Sequence, residues 1–210
     1  IMEHYGAEVI CVHDEGDIGA CIEECIALAQ KMAAEDPRVF VPQQFVNRDN
    51  LAAHVDGTAA EILADVCAAG IAIDGFCSGF GTGGTITGIG SELRAVFPEV
   101  QIWAAEPEHA ALLSGGAIGT HVQMGIGDGI LPAIMDTSLI DGIVVVTDEE
   151  ALACARRLAR EEGLFCGISS GTNVAAALRL ARKLGPDKTV VTLAPDTGER
   201  YFSTVLFEGE

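Results

Sequence analysis

An α/β fold, a mainly parallel sheet with helices on both faces, is what this sequence predicts, and three observations carry the reading. From residue 71 onward, short apolar strand-like runs alternate with longer stretches of helical spacing. Glycine is frequent (25 residues) while aromatics are only 5%, a balance suited to many tight strand-to-helix turns. Hydrophobic residues make up 49% of the 210 and charged residues 20%, enough apolar material for a large core and too much for a disordered chain.

The elements follow in order. Ile1-Met2-Glu3-His4-Tyr5 reads as the last turn of a helix ended by Gly6, and Glu8-Val9-Ile10-Cys11-Val12 as a short strand. A chain that starts inside a helix is expected to be truncated. Ile18, Ile22, Cys25, Ile26 and Ala29 share one face of a helix over 18–34, closed by Asp36-Pro37. The polar stretch 42–50, with Gln43, Gln44, Asn47 and Asn50, reads as an irregular domain crossover, and a second helix over 58–69 ends at Gly70. A strand over 71–77 leads through a glycine-rich turn into a helix with Ile86, Ile89, Leu93, Val96 and Phe97 on one side. A strand over 100–104 and a loop-rich stretch over 106–141 come next, then a short strand over 144–146. Thr147-Asp148-Glu149-Glu150 is a capping box that opens another helix. A helix over 171–183 and a buried strand over 189–193 complete the alternation.

Charge and cysteine usage narrow the function. Lys+Arg is 12 against Asp+Glu 31, a net charge of -19, which repels nucleic-acid backbones and anionic lipid. An anionic ligand must then be held by local dipoles. Seven scattered cysteines without a CxxC pair predict reduced, mostly buried thiols in a cytoplasmic protein rather than disulfides or zinc. His4, His13, His54, His109 and His121 form no metal-binding pair, so no metal is expected.

The strongest chemical signal is Gly79-Phe80-Gly81-Thr82-Gly83-Gly84-Thr85-Ile86-Thr87-Gly88, between a strand and a helix. Its glycines let successive N–H groups converge, the helix adds the positive end of its dipole, and Thr82, Thr85 and Thr87 offer hydroxyls. This is a phosphate cup built without a cation. Gly79, Gly81 and Gly84 also fit the dinucleotide pattern GxGxxG, with Glu106 where a ribose-binding acid would stand. The hydroxyl-rich centre suits a terminal phosphate monoester better. A glycine turn needed only for packing is the plain alternative.

Gly81-Thr82-Gly83-Gly84-Thr85 resembles the phosphate loop of the cysteine synthase (O-acetylserine sulfhydrylase) family of fold-type II, tryptophan synthase β-like, pyridoxal-phosphate enzymes. Four further segments resemble the family in order: Pro42-Gln43-Gln44-Phe45, Gly125-Ile126-Gly127, Gly167-Ile168-Ser169-Ser170-Gly171, and Gly198-Glu199-Arg200-Tyr201 leading to Ser203-Thr204. Five motifs in series set the dinucleotide reading aside. The resemblance implies that Gly81, Thr82, Gly83, Gly84 and Thr85 bind the phosphate of pyridoxal 5'-phosphate and that Ser169 bonds the pyridine nitrogen. It implies further that Gln44 contacts the substrate carboxylate and that Gly125 lines the floor of the site. From the residues alone, Ser169 or Ser170 could merely cap the next helix, and Arg200 and Tyr201 read as parts of a segment that docks on the core with Phe202, Val205, Leu206 and Phe207. The resemblance implies that His54, at a loop position where the family often has histidine, is structural.

The sequence departs from the family in two ways. The Schiff-base lysine and the Thr/Ser-Gly-Asn-Thr substrate loop are absent, and Lys31, Lys183 and Lys188 read as solvated surface residues. The expectation is therefore an N-terminally truncated, catalytically incomplete chain. Residues 1–44 would be the tail of a smaller domain and 45–210 the larger cofactor-binding one. The family reaction converts O-acetylserine and sulfide to cysteine and acetate. A homodimer and a serine acetyltransferase partner are implied with it. Cystathionine β-synthase-like chemistry and a non-catalytic, phosphate-binding paralogue are the rival readings.

Overall fold

The computed structural model describes residues 2–13 and 15–207. Helix α1 (Ile18–Glu35) is opened by Asp17, whose carboxylate accepts from the Ala20 amide at 3.0 Å. A continuous helical run follows: α2 (Asp49–Ala53), a π-turn (His54–Ala59) and α3 (Ala60–Ala69), stopped by Gly70 at φ 67°. Strand β1 (Gly75–Gly79), helix α4 (Gly84–Val96) and strand β2 (Gln101–Pro107) form a parallel crossover. After a long loop come β3 (Gly142–Val146), α5 (Asp148–Glu162), α6 (Ile168–Leu184) and β4 (Val190–Val191).

The described sheet is wholly parallel in the order β3-β2-β1-β4. Strand alternation sends neighbouring residues to opposite layers. Phe76 and Ala104 join a core with Ile86, Ile89 and Leu93 of α4, while Cys77 and Ala105 join one with Ile168, Ala176 and Leu180 of α6. The predicted α/β fold with helices on both faces is what forms. After β1, β2 and β3 the chain returns to lay β4 on the far side of β1, so the strand order reverses beside β1. Crevices for ligands open at such reversals, beyond the carboxyl ends of the strands.

Several local expectations are corrected. Residues 8–12 form no strand: no described segment pairs with them, and Val9 and Ile10 are 40% and 57% exposed. Glu3–Tyr5 is a single 3-10 turn closed by Gly6 at φ 85°, and Ile1 lies outside the described residues. The helix expected over 58–69 begins at Asp49, because the Asn47 side chain accepts from the Asp49 amide and lets the polar stretch start a helix. Asp56 and Gly57 lie within the π-turn, which packs on α4. Strand β4 is short and half-buried rather than a buried strand, since it pairs with β1 alone. The cysteines form no disulfide among the described residues but are not mostly buried: Cys77 and Cys166 are, whereas Cys11, Cys25 and Cys67 are exposed on or beside elements with a solvent face. No helix among the described residues is long and apolar enough to cross a membrane.

Candidate functional site

A cavity of about 940 Å³ lies at the strand-order reversal, walled by the turn after β1 and by Leu193 to Asp196 after β4. Asn173 of α6 holds these two walls together. Its Oδ1 accepts from the Gly79 amide at 2.7 Å and its Nδ2 donates to the Leu193 carbonyl at 3.0 Å. An amide on the apolar face of a helix is the one signal of it in the sequence. The floor loop is anchored as firmly. Gln123, 0% exposed, donates to the Val146 carbonyl and to Asp148 and accepts from the Thr172 hydroxyl. The Gly127 amide bonds the Phe80 carbonyl at 2.9 Å.

Gly81 to Thr85 form the turn into α4. Gly83 is the N-cap at φ 78° and supplies no side-chain cap. The amides of Gly81, Thr82, Gly83, Thr85 and Ile86 have no protein acceptor among the described residues, and the Gly84 amide reaches only the Thr82 hydroxyl at 3.4 Å. Unmated amides at the positive end of a thirteen-residue helix fit a phosphate. Packing also requires these glycines. A Cβ on Gly81 would lie 2.8 Å from the Gly125 carbonyl oxygen, one on Gly83 would lie 2.6 Å from Met135 Cβ, and one on Gly84 would meet Asn50. The packing and phosphate readings of the loop are therefore compatible: neighbours close against the glycine Cα atoms while the amides stay unmated.

The other expected residues meet the same cavity. Ser169 is 4% exposed, lines it, and its hydroxyl has no protein partner among the described residues. Neither Ser169 nor Ser170 caps α6; the N-cap is Gly167, without a side-chain cap, and both serines lie inside the first turn. Gln44 and Gly125 also line the cavity, Gly125 at φ 86° and Gln44 next to Gln43, which has a left-handed φ of 55°. Arg200 and Tyr201 line it too, so they are more than docking residues, and the Tyr201 hydroxyl donates to Asp196 at 2.7 Å. In the C-terminal segment Leu206 is buried, whereas Phe202 is 66% exposed.

Some groups were not singled out from the sequence. Asp128 lines the cavity, with a carboxylate oxygen 2.9 Å from where a Gly81 Cβ would stand. Burial raises its pKa above the usual carboxylate value, only partly offset by His121. His54 joins the Thr85 hydroxyl to that of Thr58, each at 3.1 Å, and burial lowers its pKa, favouring the neutral ring. Glu106 has no ligand role: fully buried, it accepts from the Leu113 and Ser114 amides and holds the loop after β2. None of the lysines lines the cavity. Lys31 lies 3.9 Å from Glu35, Lys183 sits 4.3 Å over the Trp103 ring, and Lys188 bonds Asp74 at 2.7 Å. The last two are thus partnered rather than merely solvated.

A parallel sheet with a crevice at its strand reversal, where unmated amides open a helix, is the architecture of an α/β protein whose site fits a phosphate-bearing cofactor. Residues 1–196 match the family of pyridoxal-phosphate dependent enzymes, and the chain belongs to that family. It is similar to a probable cysteine synthase of Bacillus subtilis (strain 168), 39% identical over 207 residues that make up 99% of this chain and 65% of the relative. Among solved structures, O-acetylserine sulfhydrylase isoform 3 from Entamoeba histolytica superimposes with a TM-score of 0.86 at 34% identity, over 100% of this chain and 61% of that one. The O-acetylserine dependent cystathionine β-synthase from Helicobacter pylori gives 0.82 at 34% identity, over 89% of this chain and 60% of that one. The chain thus spans less than two thirds of the length of these relatives.

Proposed function

We propose that this chain carries the cofactor-holding part of a β-replacement enzyme of the cysteine synthase type, acting on O-acetylserine and sulfide. The observation that carries the reading is the meeting, in one cavity, of the unmated amides at the start of α4 and the unpartnered Ser169 hydroxyl at the start of α6. Pyridoxal phosphate, when bound, supplies the electron sink for elimination and addition at the β-carbon of an amino acid. Gly81 to Thr85 would hold its phosphate through backbone amides and the Thr82 and Thr85 hydroxyls. Ser169 would bond the pyridine nitrogen, and a neutral hydroxyl there does not favour ring protonation as a carboxylate would. Gln44, at the junction of the proposed 1–44 and 45–210 domains, would receive the substrate carboxylate, with Gly125 as the floor beneath it. The same reading takes a second copy of the chain and a serine acetyltransferase as partners and, from cysteines that form no disulfide among the described residues, a cytoplasmic setting.

One observation favours a second nucleophile. The half-buried carboxyl of Asp128 lies in the cavity and can accept a hydrogen bond from the ammonium or thiol of an amino-acid nucleophile such as homocysteine. Titrating the purified chain with pyridoxal 5'-phosphate tests the site, followed by competition with inorganic phosphate, borohydride reduction and peptide mapping. Saturable, phosphate-competed binding without an adduct on Lys31, Lys183 or Lys188 is expected. Absence of binding overturns the reading, and a reduced adduct on one of those lysines overturns the residue roles.

A further inference from the structure

The helical run before β1 reaches the phosphate cup with two residues four apart. Asn50 and His54 share one helix face, and they pack against Gly84 and Gly88, likewise four apart on α4. A Cβ on Gly84 would meet the Asn50 amide, and one on Gly88 would lie 2.9 Å from His54 Cβ. The glycine pair lets the two helices close, so that side chains of the first reach hydroxyls of the cup.

Asn50 uses both protons of its amide nitrogen across this contact. Nδ2 donates to the Thr82 hydroxyl at 2.9 Å and to the Gln44 carbonyl at 2.9 Å. Because Thr82 Oγ1 accepts from Asn50, its own proton is left to be donated elsewhere. The other bond ends on the loop whose Gln43 has a left-handed φ of 55°, and there the Val46 and Asn47 amides bond the Gln43 carbonyl at 3.0 and 2.9 Å. One side chain thus ties the cup threonine to the Gln44 loop.

We infer that Asn50 is a positioning residue that sets Thr82 as a hydrogen-bond donor to the bound phosphate and couples occupancy of the cup to the order of the Gln43–Gln44 loop. This rests on the cofactor reading proposed above. When an anion takes the Thr82 proton, the Thr82 oxygen becomes a better acceptor for Asn50, and the tie to Gln44 tightens. The cofactor's phosphate end then helps hold the loop proposed to receive the substrate carboxylate.

Hydrogen exchange on the wild-type chain, with and without saturating inorganic phosphate or pyridoxal 5'-phosphate, tests this directly. Phosphate is expected to slow exchange of the Thr82 to Ile86 amides and also of the Val46 and Asn47 amides. Asn50→Ala is expected to weaken phosphate binding about tenfold, the scale of a lost hydrogen bond near a charged group, and to abolish the Val46 and Asn47 protection. Cup protection without loop protection in the wild type overturns the inference and leaves the cofactor reading standing. Loop protection that survives in Asn50→Ala overturns it as well. A wild-type chain that binds neither ligand sinks the cofactor reading, and the inference falls with it. Should Asn50→Ala fail to fold, the wild-type experiment decides alone.

Discussion

The N-terminus of α5 and those of α4 and α6 are built to opposite plans. Helix α5 is closed in full: the Thr147 hydroxyl accepts from the Glu150 amide and the Glu150 carboxylate accepts from the Thr147 amide, each at 3.1 Å. Helices α4 and α6, which face the cavity, start from Gly83 and Gly167 with no side-chain cap. Nor is there room for one. A Cβ on Gly83 would run into Met135 at a backbone φ of 78°, and one on Gly167 would run into Asp196 and Tyr201. Helix ends normally satisfy their first amides with a side chain. Where the tertiary structure excludes that side chain beside a cavity, the missing cap is the feature on which the proposed ligand site rests.

Substitutions that force a cap onto the open helices should break the contrast most strongly. Gly83→Ser combines left-handed backbone strain with overpacking against Met135. It is expected to cost about 3 kcal/mol in urea unfolding and to abolish pyridoxal phosphate binding in a titration. Gly167→Ser places a good capping residue where Asp196 and Tyr201 already sit. About 2 kcal/mol of destabilisation by the same measurement is expected, where helix propensity alone would forecast a gain. Removing the closed cap should act the other way round. Thr147→Ala is expected to lose about 1 kcal/mol of stability and to leave phosphate affinity unchanged by calorimetry.

The two open ends can also be told apart. Ser169→Ala is expected to weaken pyridoxal phosphate about fivefold, as one neutral hydrogen bond allows, while inorganic phosphate binds as before. Equal loss for both ligands would mean that Ser169 supports the cup rather than the ring. The smallest effect is expected at Asp128. Burial raises its folded pKa above the unfolded value near 3.8, so the folded state holds that proton more tightly. The favourable contribution is full below 3.8 and is lost as pH rises through the folded pKa. Asp128→Asn should therefore raise the melting temperature at neutral pH, and the gain should vanish in acid.

Legibility in the sequence followed the range of the interactions. The glycine loop, the α5 capping box and the Ile86, Ile89 and Leu93 face of α4 depend on spacings of a few residues and lie where the sequence predicts, although Val96, expected on that face, is 49% exposed. Residues 8–12 form no strand because a strand needs a partner and a short apolar run cannot provide one; Ile10 is 57% exposed. The start of α2 was hidden because Asn47 and Asn50 look like loop residues until their side chains are seen to bond an amide, a carbonyl and a hydroxyl. Arg200, read as structural, lines the cavity only because the segment after β4 folds back beside β1.

By itself, then, the sequence determined the α/β alternation, the glycine-rich turn that opens α4 and, through motif order, the family. Tertiary structure alone decided that β4 returns beside β1, that Asn173 joins the two walls, that Asn50 and His54 reach the cup, and that Asp128 stands in the cavity. The division is physical. Turns, caps and amphipathic faces are set by neighbours along the chain, whereas the residue pairs that build the cavity are far apart in sequence, Gly79 and Asn173 by 94 residues, and meet only when the sheet is assembled.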